Sequence, residues 1–250
     1  MHFTAETSSN GVVERNFTIG EVTGLLWSRA SGSDRAPLML MGHGGGQHKK
    51  APGILARAHH FVTACGFTVA AIDAPGHGDR PRTAADEQQI AALRQAQAAG
   101  EPIGPIIARY NTGLAERAVP EWQTTLDALQ ELPEIGRGPI GYWGLALGTA
   151  IGVPLTAVEP RITAAVFGVL GHESLTDAAG SVTVPLQFLL QWDDEHVERQ
   201  SGLALFDAFA STEKTLHANP GAHREIPAFE LDSATRFFVR HLHRVGTSPA

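Results

Sequence analysis

Short, nearly continuous apolar runs alternate along the chain with longer stretches in which apolar residues recur at helical spacing. The first kind predicts strands buried on both faces and the second predicts helices that bury one side. Two strands come first, over 12–19 and 21–28, carried by Val12, Val13, Phe17 and Ile19 and then by Val22, Leu25, Leu26 and Trp27, with a turn at Gly20. Leu38-Met39-Leu40-Met41 reads as a fully buried strand, followed by a helix over 51–65 with Pro52 near its start and Gly66 at its end. The next buried strand is 67–72. Two helical patterns follow, near 84–99 and 105–118, separated by Gly100-Glu101-Pro102. Pro120 is expected to open another helix, reaching about Leu132. A strand then ends at Gly144, and the helix after Gly148 contains Pro154, which should kink or restart it. Further strands are expected at 162–170, 184–190 and 214–218, with helices over 198–210 and 227–243 and a loose tail at Gly246–Ala250.

Strands alternating with helices imply an α/β fold with a mainly parallel sheet covered on both faces. The 250 residues suit one domain. Residues 80–119 exceed what a plain connection needs, and they read as a helical lid inserted over one sheet edge. The segment 171–182 is too short to hold a large cap.

Composition narrows the function. The net charge of −7 and the absence of any basic cluster larger than Lys49-Lys50 argue against a nucleic-acid surface. No apolar run is long enough to cross a bilayer, so no membrane association is expected. A single cysteine, Cys65, excludes an internal disulfide, and the first residues lack the pattern of a secretory signal; a cytoplasmic location is expected. The glycines at 42–46 do not complete a dinucleotide fingerprint, Lys49-Lys50 lacks the residue a phosphate loop needs, and the histidines form no recognised zinc spacing. Neither cofactor nor metal is expected.

Ligands on parallel sheets gather at the C-terminal strand ends. Four features fall there: Gly42–Gly46, the turn at Gly144–Gly148, Asp193-Asp194, and His223. The turn has glycines two residues before and two after its apex, the spacing that lets strand and helix cross closely while holding one side chain exposed. The apex is Ala146, which has no nucleophilic atom. His223, in a turn before the last helix, is the candidate base; His217, His59 and His60 lie within regular elements, and His196 is too close in sequence to the acid. Asp194, just after a buried strand, is the candidate acid, with Asp193 as runner-up. The N–H groups of Gly45 and Leu147 are candidate oxyanion donors. Gly44, Trp143, His172 and Trp192 are candidate substrate contacts, and the two tryptophans with Ile106, Ile107, Tyr110 and Leu114 of the lid suggest an apolar pocket.

The His-Gly-Gly-Gly run at 43–46, the D-x-P-G-H-G turn at 73–78, the turn at 144–148, the Asp194–Val197 segment and Pro220-Gly221-Ala222-His223 together resemble the α/β-hydrolase superfamily over residues 12–243, in particular bacterial carboxylesterases and dienelactone-hydrolase-like members. The resemblance implies the α/β-hydrolase fold and a serine-type ester hydrolase that works through an acyl-enzyme; it does not name the ester, and the apolar pocket suggests a small-molecule ester that is apolar or aromatic. The resemblance also implies a serine at the apex, where this chain has Ala146. Three origins fit that departure: an engineered change that stops turnover, a natural relative that binds a ligand or protein partner without turnover, or a relative that uses histidine and water without a covalent step. The retained base, acid and glycine run favour the first. The sequence does not fix the oligomeric state.

Overall fold

The computed structural model describes residues 1–31 and 35–243; the tail expected at Gly246–Ala250 lies outside the described residues. Among the described residues nine strands form one sheet: β1 (His2–Ser9), β2 (Val12–Ile19), β3 (Val22–Arg29), β4 (Leu38–Gly42), β5 (Thr68–Ile72), β6 (Ile140–Gly144), β7 (Ile162–Gly168), β8 (Leu186–Gln191) and β9 (Lys214–Asn219). Their order is β1-β2-β3-β5-β4-β6-β7-β8-β9. The pairings from β1 to β5 are antiparallel and all others parallel. The chain leaves β4 for β5 on one side and returns as β6 on the other. The crevice beyond β4 and β6 is therefore the switch point at which such sheets bind ligands. Register places Gly42 opposite Gly144, so the loop after β4 and the turn after β6 start side by side.

Alternation along the central strands divides the core between two faces. Leu40, Tyr142, Phe167 and Phe188 pack toward α3 (Gly104–Gln130) and α4 (Leu147–Val158). Met39, Met41, Trp143 and Val166 pack toward α1 (Pro52–His60) and α7 (Phe229–Leu242). The remaining helices are α2 (Ala84–Ala99), α5 (Thr176–Ala179) and α6 (Arg199–Ala208).

Three local departures from the expected pattern have physical causes. Strand β1 is exposed along its whole length. It buries no apolar stripe, so periodicity could not reveal it, and it is held by its ladder to β2. The helix expected over 51–65 ends as α at His60 and finishes as one π turn, Phe61–Cys65. Pro120 does not open a helix: α3 runs through it without interruption, and α4 likewise continues past Pro154. Each proline removes one N–H and frees the carbonyl four residues earlier. Both prolines border the same large cavity, where solvent can satisfy what the helix leaves unpaired.

The turn after β5 is tied to the loop after β4 by a buried ion pair. Asp73 is fully buried and accepts from the Lys49 backbone N–H at 2.8 Å, the Lys49 ammonium at 2.5 Å, the Thr23 hydroxyl at 2.8 Å and the Asp79 N–H at 3.1 Å. Burial alone would raise this carboxyl; the donors from Lys49, Asp79 and Thr23 together outweigh it and hold the group below the usual carboxylate range. Removing Asp73 leaves its buried donors without their acceptor, although the Lys49 ammonium keeps the Asp79 carboxylate at 2.6 Å. Asp73→Ala is expected to lower stability by about 3 kcal/mol or more in urea denaturation, and a loss below about 1 kcal/mol would show that the pair is not a structural tie.

Candidate active site

The turn after β6 is the most constrained segment in the site. Ala146 caps α4 with φ 53° and ψ −114°, a conformation that costs a residue with a Cβ about 1–3 kcal/mol. The surroundings impose it. A Cβ on Gly144 would lie 2.6 Å from the Gly148 carbonyl, and one on Gly148 would lie 2.7 Å from the Gly42 carbonyl, so only glycine permits this crossing. The Ala146 N–H donates to the Gly168 carbonyl at 3.0 Å. The Thr149 hydroxyl lies 2.7 Å from that same carbonyl and 2.9 Å from the Gly144 carbonyl, and it accepts from the Gly168 N–H at 2.9 Å. Beneath them the buried Tyr142 hydroxyl donates to the Gly148 carbonyl at 2.7 Å. The Leu147 N–H is the first of α4, where the helix end favours negative charge.

Asp194 and His223 come together from the loops after β8 and β9. The Asp194 Oδ2 and His223 Nδ1 atoms are 2.8 Å apart, with the carboxylate almost fully buried. Its other oxygen accepts the N–H groups of His196 and Val197 at 2.8 and 2.9 Å. A proton on Nδ1 satisfies this contact and leaves Nε2 free to act as a base. Glu195 adds a second restraint by accepting the His223 backbone N–H at 2.9 Å; that hydrogen bond holds the Glu195 carboxyl below its ordinary range. The alternative acid, Asp193, is largely exposed and lies near Arg199 and the Gly221 N–H instead. His196 stands edge-on to His223, with ring centroids 5.1 Å apart.

Ala146, Leu147, His223, Gly45, Gly46 and His172 all border one cavity of about 770 Å³. Its far wall consists of α2 and the first half of α3. The Arg117 guanidinium donates to the buried Asp86 carboxylate at 2.6 Å, which fastens these two helices together. Among the described residues, no group of three or more His, Cys, Asp or Glu side chains could hold a metal ion. No helix among them is long and apolar enough to cross a membrane.

No protein-family model matches the chain, and no curated protein does. Solved structures do. A cold-adapted esterase from an Arctic intertidal metagenomic library, in a PEG-bound complex, is 34% identical with a TM-score of 0.77, over 97% of this chain and 100% of that one. The chain belongs to the α/β-hydrolase superfamily, among its esterases. Two more distant esterases share the fold alone. The acetyl xylan esterase from Paenibacillus sp. R4 is 13% identical with a TM-score of 0.69, over 96% of this chain and 88% of that one. A ferulic acid complex of Est1E from Butyrivibrio proteoclasticus is 14% identical with a TM-score of 0.65, over 96% and 100%.

Within this esterase fold, some expected substrate contacts lie elsewhere. Trp143 points to the opposite face of the sheet, buried beneath the Arg57 guanidinium at 4.4 Å, because its neighbour Tyr142 takes the face under the elbow. Trp192 lies outside the cavity lining, half exposed, with Arg199 stacked on it at 3.9 Å. Gly44 is set back from the cavity, its carbonyl engaged by His43 and by the Gln47 N–H. Ile107 and Tyr110 line the cavity, whereas Leu114 is core. His172 lines it with Nδ1 committed to the Ser174 N–H and hydroxyl.

Two supporting residues escaped the sequence reading. One is Thr149, whose signal is a small hydroxyl residue three positions past the apex. The other is His43. It is buried; its Nε2 accepts the Ala74 N–H at 3.0 Å and its Nδ1 donates to the Gly44 carbonyl at 2.9 Å. This strut holds the glycine run against the turn after β5. Burial lowers its pKa from 6.5 to about 4, so the ring is neutral near pH 7. The unfolded chain therefore binds one more proton between these values, and stability falls as pH drops through that window. His43→Gln, which cannot titrate, is expected to lose about 3 kcal/mol less than the parent between pH 7 and pH 4, by urea denaturation. Parallel pH profiles for the two forms would show that His43 is not held neutral.

Proposed function

We propose that the site is that of a serine-type carboxylic ester hydrolase in which Ala146 occupies the nucleophile's place, so that the chain as given binds its ester without forming an acyl-enzyme. The observation carrying this reading is the strained turn at Ala146 on the same cavity as a bonded His223–Asp194 pair. An alanine gains nothing from that conformation, whereas a serine there would present its oxygen to the cavity.

With serine at 146, His223 Nε2 takes the hydroxyl proton as the oxygen attacks the ester carbonyl. The N–H groups of Gly45 and Leu147 receive the oxyanion, a contribution of about 3 kcal/mol per donor in comparable sites. The imidazolium, stabilised by Asp194, protonates the leaving alcohol and later draws a proton from the water that attacks the acyl-enzyme. The helices over 80–119 act as the lid of the pocket. An engineered loss of the nucleophile suits the intact pair and glycine run. The second reading is a natural pseudo-hydrolase that binds a small apolar ligand or a protein partner.

Hydrolysis of a panel of p-nitrophenyl and aromatic esters by Ala146→Ser, beside the chain as given, tests the reading. The serine form is expected to be faster by about a thousandfold or more. Adding His223→Ala should abolish that gain. Equal rates in both forms would remove the triad assignment, and silence in both would favour the binding reading.

A further inference from the structure

The cavity does not stop at the elbow. Ala146, Ala150, Pro154 and Val158 all border it, and they stand four residues apart on one face of α4. At 1.5 Å rise per residue this stripe extends about 18 Å from the nucleophile position. Ala115 and Val119 of α3 line the cavity with it, as does Ala178 of α5. The far end opens to solvent, where Val158 is 56% exposed. Along this stripe the lining is small and aliphatic; the polar lining residues Arg82, Gln97 and Asn111 belong to the loop after β5, to α2 and to the start of α3. No tryptophan or phenylalanine lines the cavity, and Tyr110, which does, stands on α3 and not on the α4 stripe.

We propose that this groove holds an unbranched aliphatic chain of the ester, leading from the reacting carbonyl at Ala146 toward Val158. This rests on the esterase reading above and specifies its substrate class as medium- to long-chain aliphatic esters rather than aromatic ones.

Because the chain as given forms no acyl-enzyme, binding can be read apart from turnover. Isothermal titration with submicellar sodium alkanoates from hexanoate to myristate is expected to show affinity rising about two- to fourfold per methylene, then levelling once the chain passes Val158. Benzoate should bind more weakly than octanoate. Val119→Trp should end the rise at mid-length, and Val158→Asp, at an exposed position, should weaken the longest chains alone. Affinity independent of length, undetectable laurate binding, tighter binding of benzoate, or profiles unchanged in both variants would overturn the groove. Kinetics of Ala146→Ser on ethyl alkanoates and on alkyl acetates then assign the chain to the acyl or the alcohol side. An active serine form with flat alkanoate binding removes the groove and keeps the esterase. Length-dependent binding with an inactive serine form does the reverse.

Discussion

The site depends on the close crossing of β6 and α4. Two glycines let the strand and helix backbones meet the end of β4 at distances no Cβ tolerates, and the residue between them is forced into a conformation it would not choose. Cost and compensation are local. About 1–3 kcal/mol of strain at Ala146 is offset by hydrogen bonds that the same crossing creates: the Ala146 N–H to the Gly168 carbonyl, and the Thr149 hydroxyl set among the Gly144 and Gly168 backbone groups. Because the geometry comes from the frame, it holds with alanine at the apex. The strained turn can therefore persist without a nucleophile to use it.

The same economy governs the other two parts of the site. The glycine run after β4 has little side chain of its own to fix it, so its position comes from behind. His43 bridges it to Ala74, and the Lys49–Asp73 pair fastens the rest of the loop to the same turn after β5. His223 is held twice, at its ring by Asp194 and at its backbone by Glu195. The glycine run and His223 are thus positioned by polar contacts behind the cavity. Changes there should alter stability and site geometry together.

Much of this was legible in the residues. The continuous apolar runs located the central strands because such strands are covered on both faces. The order of apex, Asp194 and His223, each at a strand end, identified the pair that the fold brings into contact. What escaped has a common reason. Strand β1 buries nothing, so no pattern marked it. Pro120 and Pro154 look like breaks unless one knows that both border a cavity. Trp143 and Trp192 are chemically suited to a pocket, but a strand's alternation turned one to the far face, and the other lies outside the lining under Arg199. His43 and Thr149 also bond groups far along the chain, at Ala74 and Gly168, which no local reading supplies.

The central claim is that the frame around residue 146 is a complete activating environment that lacks only its oxygen atom. Intact-mass and peptide mass spectrometry after treatment with a fluorophosphonate tests it most directly. The account predicts one adduct on residue 146 of the Ala146→Ser form, lost when His223 is also changed to alanine, and no adduct on the chain as given. No labelling of the serine form, or labelling at the same other site in both forms, would contradict it.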